Sequence, residues 1–155
     1  AKPSLEDVYA VKISDLELAT VAGEIKKSDE PFTVKVVSKR NTLVDEPVLA
    51  YLELVPSKLI FEDKEEVVVG YIDGESSPEE IDRILKDLEE RAQLLAERRG
   101  MRPSSINGDF LGTKEEIEDI KRRIAEIGKR VEVAVVAPQD IYIDDPLLLK
   151  FEIRQ

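Results

Sequence analysis

The stretch RRGMRPSSINGDFLGT, Arg98 to Thr113, gathers residue types that hold phosphates. Backbone N–H groups at a helix start attract anions, and arginine forks add charge. Arg98, Arg99, Arg102, Ser104 and Ser105 are therefore candidate phosphate or nucleic-acid ligands, with Gly108 and Gly112 leading into a helix start at Thr113. The pattern is not a Walker loop, because no strand leads in and no Gly-Lys-Ser/Thr follows the glycines. A turn between two helices uses the same residues: Gly100 stops one helix, Asn107-Gly108 turns the chain, and Phe110 and Leu111 anchor the loop to the core.

A second constellation is Asp140, Asp144 and Asp145, beyond an apolar strand. Three carboxylates suit a hard cation, Mg²⁺ or Ca²⁺. Their spacing fits no EF-hand, and Asp144-Asp145-Pro146 is also ordinary turn chemistry. Asp73-Gly74-Glu75 could join them if the strands at 66–72 and 131–137 are neighbours. Lys35, Lys39 and Tyr51 form a third set, on one sheet face, where lysines and aromatics can neutralise and stack single-stranded nucleic acid. Glu53 lies on the same face and opposes that, since a Lys–Glu cross-strand pair explains the lysine as well. Finally Ile117, Ile120, Ile124 and Ile127 make a narrow apolar seam, either buried in the core or offered to a second copy of the chain.

The chain of 155 residues has no His and no Cys. This removes Ser-His-Asp and Cys-His catalysis, disulfides and thiolate zinc sites. No cofactor is required by what remains; Mg²⁺ is the ion the acids would take. Charged residues are 37% of the chain, well above the roughly 25% of an average protein. With Asn and Gln scarce and one Met, the composition resembles that of thermophilic proteins. The net charge of -11 disfavours nucleic acid and anionic membranes. Segments 26–40 and 98–130 run against it, each at net +3. No apolar run approaches the ~20 residues of a membrane helix, and no signal-peptide core opens the chain, so a cytoplasmic location is expected.

The elements that must position these residues read as an α+β domain covering 1–155, a largely antiparallel sheet with a helical hairpin at 77–128 inserted before the last strands. Val8 to Ile13 alternates as a strand. Residues 14–26 are ambiguous: Ser14 and Glu17 have capping-box spacing, while Leu16, Leu18 and Thr20 alternate, and we read a second strand pairing with the first. Phe32 to Arg40 and Val48 to Val55 are strands around a loop at 41–47, the second ended by Pro56. KLIFE and EVVVGYID flank Asp63-Lys64-Glu65 as a hairpin. Ser77, Pro78 and Glu80 open one helix with a capping box and a stripe of Ile81, Ile84, Leu85, Leu88, Ala92 and Leu95. Thr113 and Glu116 open the next, which Gly128 closes. Val131 to Ala137 is a central strand. From Leu147 the alternation sends Leu147, Leu149, Phe151 and Ile153 inward.

These readings favour a non-catalytic binding or assembly module acting through protein–protein contacts, as a homo-oligomer or with another protein. The alternatives are a single-stranded nucleic-acid binder using 26–40 and 98–130, and a small enzyme using Mg²⁺ or a phosphate ligand.

Overall fold

A computed structural model describes residues 11–40 and 46–155. The fold is α+β with mostly antiparallel strands. Residues 8–10 of the expected first strand and 41–45 of the expected loop lie outside the described residues. The chain divides into two compact units, Ala1–Ser57 and Lys58–Gln155.

In the first unit, strands β1 (Val11–Lys12), β2 (Phe32–Ser38) and β3 (Val48–Pro56) form one sheet in the order β1-β3-β2. β1 runs parallel to β3, and β2 antiparallel to it. Residues 14–26 are not the strand we expected: helix α1 spans Asp15–Lys27. Ser14 caps it by accepting the Glu17 N–H. The Glu17 carboxylate does not close the capping box. It reaches across to accept the Leu52 N–H at 2.7 Å, on the side of β3 that β1 covers only at Val48 and Leu49. The cap and the absence of Gly or Pro from the first two turns outweigh the short alternation, and β1 takes β3 as its partner instead.

In the second unit, β4 (Leu59–Phe61) pairs with β7 (Ile141–Tyr142), and β5 (Glu66–Asp73), β6 (Arg130–Val136) and β8 (Lys150–Arg154) form an antiparallel sheet in the order β5-β6-β8. β6 is central, as its apolar run implies. The turn at 62–65 forms, with Lys64 left-handed, but its flanking strands do not pair with each other. The Lys64 N–H donates to the Ala137 carbonyl and the Ala137 N–H to the Glu65 carbonyl, so the turn carries the chain from one sheet to the other.

Helices α2 (Pro78–Arg98) and α3 (Lys114–Ile127) lie between β5 and β6 in the chain. Ser77 caps α2 with Pro78 in its first turn, but Glu80 binds Arg83 rather than the cap backbone. Thr113 and Glu116 form the full reciprocal box on α3, and Gly128 ends it left-handed at φ 62°. Ile81, Leu85, Leu88 and Ala92 of α2 are buried with Val131, Val133 and Val135 of β6. Leu147 and Leu149 are buried too, while Leu148 points out, as the alternation requires.

Candidate functional site

The 98–113 segment is built as structure. Arg99 caps α2, donates to the Ile60 carbonyl at 2.8 Å, pairs with Glu65 at 2.7 Å and stacks 4.8 Å from the Phe61 ring centre. Its own carbonyl accepts from Lys58 Nζ. Gly100, at φ 109°, turns the chain out of the helix. Met101, Phe110 and Leu111 are buried, and the Ser105 and Phe110 carbonyls accept the Leu147 and Leu149 N–H groups. Arg98, Arg102 and Ser104 are exposed around this frame, and Ser105 is half-buried. At the start of α3 the place a phosphate would take is filled by the protein's own carboxylate. Glu116 Oε2 accepts the Thr113 N–H at 2.7 Å, with Glu115 beside it in the first turn. An incoming anion would meet two negative charges there.

Arg99→Ala is expected to lower stability by about 1–3 kcal/mol, since it orphans the Ile60 carbonyl and the Glu65 carboxylate together. Arg99→Lys should recover little, because an ammonium lacks the planar fork and the stacking face. Chemical denaturation of the three proteins measures this.

The acidic trio is also dispersed onto backbone. Asp140 accepts the Asp63 N–H at 2.7 Å and Asp145 the Tyr142 N–H at 2.9 Å, while Asp144 is exposed. Among the described residues no group of three acids is placed to share a metal ion. Asp73 does not approach Asp140. The antiparallel register pairs Asp73 with Arg130, at the end of β6 opposite to Val136 and the turn that follows it.

The isoleucine seam is spent within the chain. Ile124 is fully buried, and the half-buried Ile117, Ile120 and Ile127 pack against the same core. Beside it, Lys121 joins the two helices, bonding Asp82 at 2.6 Å and Glu118 at 2.9 Å. Hydrogen bonds from Lys121 and Lys86 hold the Asp82 carboxyl below its ordinary range. A groove of about 480 Å³ runs between α3 and β8, floored by Ile120, Leu149 and Phe151 and rimmed by Glu115, Arg123 and Lys150. Its rim carries mixed charge with no converging set.

One carboxyl shifts upwards. Burial, then the neighbouring Glu90 charge, pushes Glu89 of α2 above the usual 4.5. A carboxyl raised by folding contributes stability that is full below 4.5 and lost as pH rises through the folded value, so ionised Glu89 weakens the fold at neutral pH. Glu89→Gln is expected to melt higher than the parent at neutral pH, with the gap closing as the buffer approaches pH 4.5. Scanning calorimetry across that range checks it.

The basic sheet face is as the alternation implies. Lys35 stands opposite Glu53 and Val37 opposite Tyr51, while Lys39 continues the ladder by donating its N–H to the Leu49 carbonyl at 2.8 Å.

What residue spacing does not reveal is the poverty of the first unit's core. Among its described residues Ala50 is the single buried apolar side chain, and α1 buries none. Eight of the twelve large apolar residues exposed among the described residues belong to this unit, including Leu16, Leu18, Val34, Val36 and Tyr51. Leu16 is 78% and Val36 57% exposed. Alternation identifies the faces of these strands. Only the tertiary structure reveals that Val34 and Val36 on one face and Leu49 and Tyr51 on the other stay exposed.

Among the described residues no helix is long and apolar enough to cross a membrane. No protein-family model matches the chain, and no curated protein and no solved structure is detectably similar to it.

Proposed function

We propose that the chain is a non-catalytic assembly module working through protein–protein contacts of its first unit. The observation that carries this reading is the exposed apolar surface of that unit. A three-stranded sheet with one helix needs a shared hydrophobic face to be stable. Here the helix buries no side chain, and its leucines and Val34 and Val36 of β2 are exposed. Full burial of such a side chain is worth roughly 1.5–3 kcal/mol, and a partner surface recovers the part that these residues forgo. Val34 and Val36 share one face of β2, and exposed apolar patches mark interaction sites. Absence of imidazole and thiol, and acids bonded to backbone rather than to one another, are consistent with a molecule that binds instead of reacting.

The test combines binding of the apolar-surface dye 8-anilinonaphthalene sulfonate with amide hydrogen exchange. The expected result is dye fluorescence or self-association, with fast exchange in the first unit of any monomer and slow exchange in the second. A monomer that binds no dye and protects the amides of α1, β2 and β3 overturns the reading.

A further inference from the structure

The geometry points to the partner: a second copy of the chain, joined by antiparallel pairing of β2 with β2 about a two-fold axis. The inference rests on the contact reading above and adds the occupant.

Backbone direction comes first. The Lys39 N–H donates to the Leu49 carbonyl and the Ser57 N–H to the Pro31 carbonyl, so odd-numbered residues of β2 face β3. Val34 and Val36 therefore aim their N–H and C=O groups away from β3, where no strand lies among the described residues. An open row of backbone groups between β-branched side chains is a template for another strand.

The edges at β3, β5 and β8 are guarded. The far edge of β3 is taken by β1 at Val48 and Leu49 and then by the Glu17 carboxylate at Leu52. β5 carries a register shift between Glu66 and Val68, and a bulge spoils an edge for pairing. β8 alternates Lys150, Glu152 and Arg154 along its length, and Arg154 holds Glu66, Glu132 and Glu152. β2 has neither device: Phe32–Ser38 holds no Gly or Pro and one charge, Lys35, which Glu53 matches across the ladder.

Symmetry and charge favour a copy over a different partner. A two-fold axis normal to the sheet keeps each face on its own side, so the exposed Val34 and Val36 row of one copy continues into that of the other in any symmetric register. Two acidic chains repel, and β2 brings one charged side chain, Lys35, to the shared ladder. An axis through Lys35 would oppose like charges, which destabilises a ladder. Centred on Val34, the pairing sets Phe32 against Val36 of the second copy and Thr33 against its Lys35, an aromatic–aliphatic match that moves the two Lys35 from directly opposite to a diagonal spacing of about 7–8 Å.

The experiment pairs sedimentation of the purified chain, from about 1 to about 100 μM, with cross-linking. The chain has no Cys, so Val34→Cys introduces its single thiol. Facing Cα atoms in a hydrogen-bonded antiparallel pair lie about 5.5 Å apart, within disulfide reach. A dimer is expected in that range. Val34→Cys should form a linked dimer under mild oxidant, whereas Leu148→Cys, exposed in the second unit, should not. Val36→Lys should weaken dimerisation at least about tenfold. Monomer at every concentration overturns the inference, as does a dimer in which Val34→Cys links no better than Leu148→Cys. In either case the dye and exchange measurements decide separately whether the first unit is a contact surface for something else.

Discussion

Alanine at position 74 is expected to cripple the second unit, costing roughly 3 kcal/mol or more, at or beyond the upper range of overpacking. A Cβ built there lies 2.5 Å from the Ile124 carbonyl oxygen, 2.8 Å from the Gly128 nitrogen and 3.0 Å from its Cα. All three are backbone atoms, so no rotamer change relieves the clash. Gly128 is itself held left-handed at φ 62°, and the Gly74 N–H donates to the Lys129 carbonyl. The end of α3 would have to lift from the sheet, taking buried Ile124 with it. Two matched variants separate this cause from the general loss of a glycine. At Gly70 the added methyl meets only the Leu88 side chain, which can turn, and about 1 kcal/mol is expected. At Gly108 nothing lies within 4 Å, and the change should be close to neutral. Urea midpoints of the three variants provide the ranking; equal midpoints would refute the close-approach account.

Phe110→Ala is expected to cost about 3–5 kcal/mol, the loss of a buried aromatic. Phe110 is only 2% exposed, although it belongs to the segment whose arginines and glycines resemble a phosphate loop. Removing it opens a cavity beside Leu111 and weakens the anchor behind the bond from the Leu149 N–H to the Phe110 carbonyl, 2.7 Å. Arg102→Ala and Ser104→Ala, at exposed neighbours in the same segment, should leave the denaturation midpoint within about 0.5 kcal/mol. A segment serving a ligand would reverse the pattern, with stability indifferent to Phe110 and binding sensitive to the arginines.

These cases show where local sequence carries information and where it does not. α2 and α3 are legible because their signals are local: Ser77 with Pro78, Thr113 with Glu116, and Gly128 in the left-handed conformation that commonly closes a helix. The inward positions Leu147, Leu149, Phe151 and Ile153 are legible because the run alternates with period two. α1 is obscured because two patterns run through it: Leu18, Val21, Ala22 and Ile25 share a helical face, while Leu16, Leu18 and Thr20 alternate. Strand partners are harder, since alternation specifies a face but not a neighbour. Leu59–Phe61 therefore looks like half of a hairpin with β5 and instead pairs with Ile141–Tyr142. The candidate ligands were chosen by residue type, and Arg99, Asp140 and Asp145 turn out to satisfy backbone groups brought near by folding. The bare first unit was illegible for the opposite reason, because a missing core has no motif.

The route between β5 and β6 has a kinetic consequence. The chain departs from the sheet at Asp73, passes through both helices, and returns at Arg130 directly opposite. Closing so long an excursion spends chain entropy before the central ladder can repay it. Each helix can flicker into shape within about a microsecond on its own, so assembly of the second unit waits for the two ends of the excursion to meet. They meet where Gly74 rests on the last turn of α3, and that junction gates the speed of folding as well as its strength.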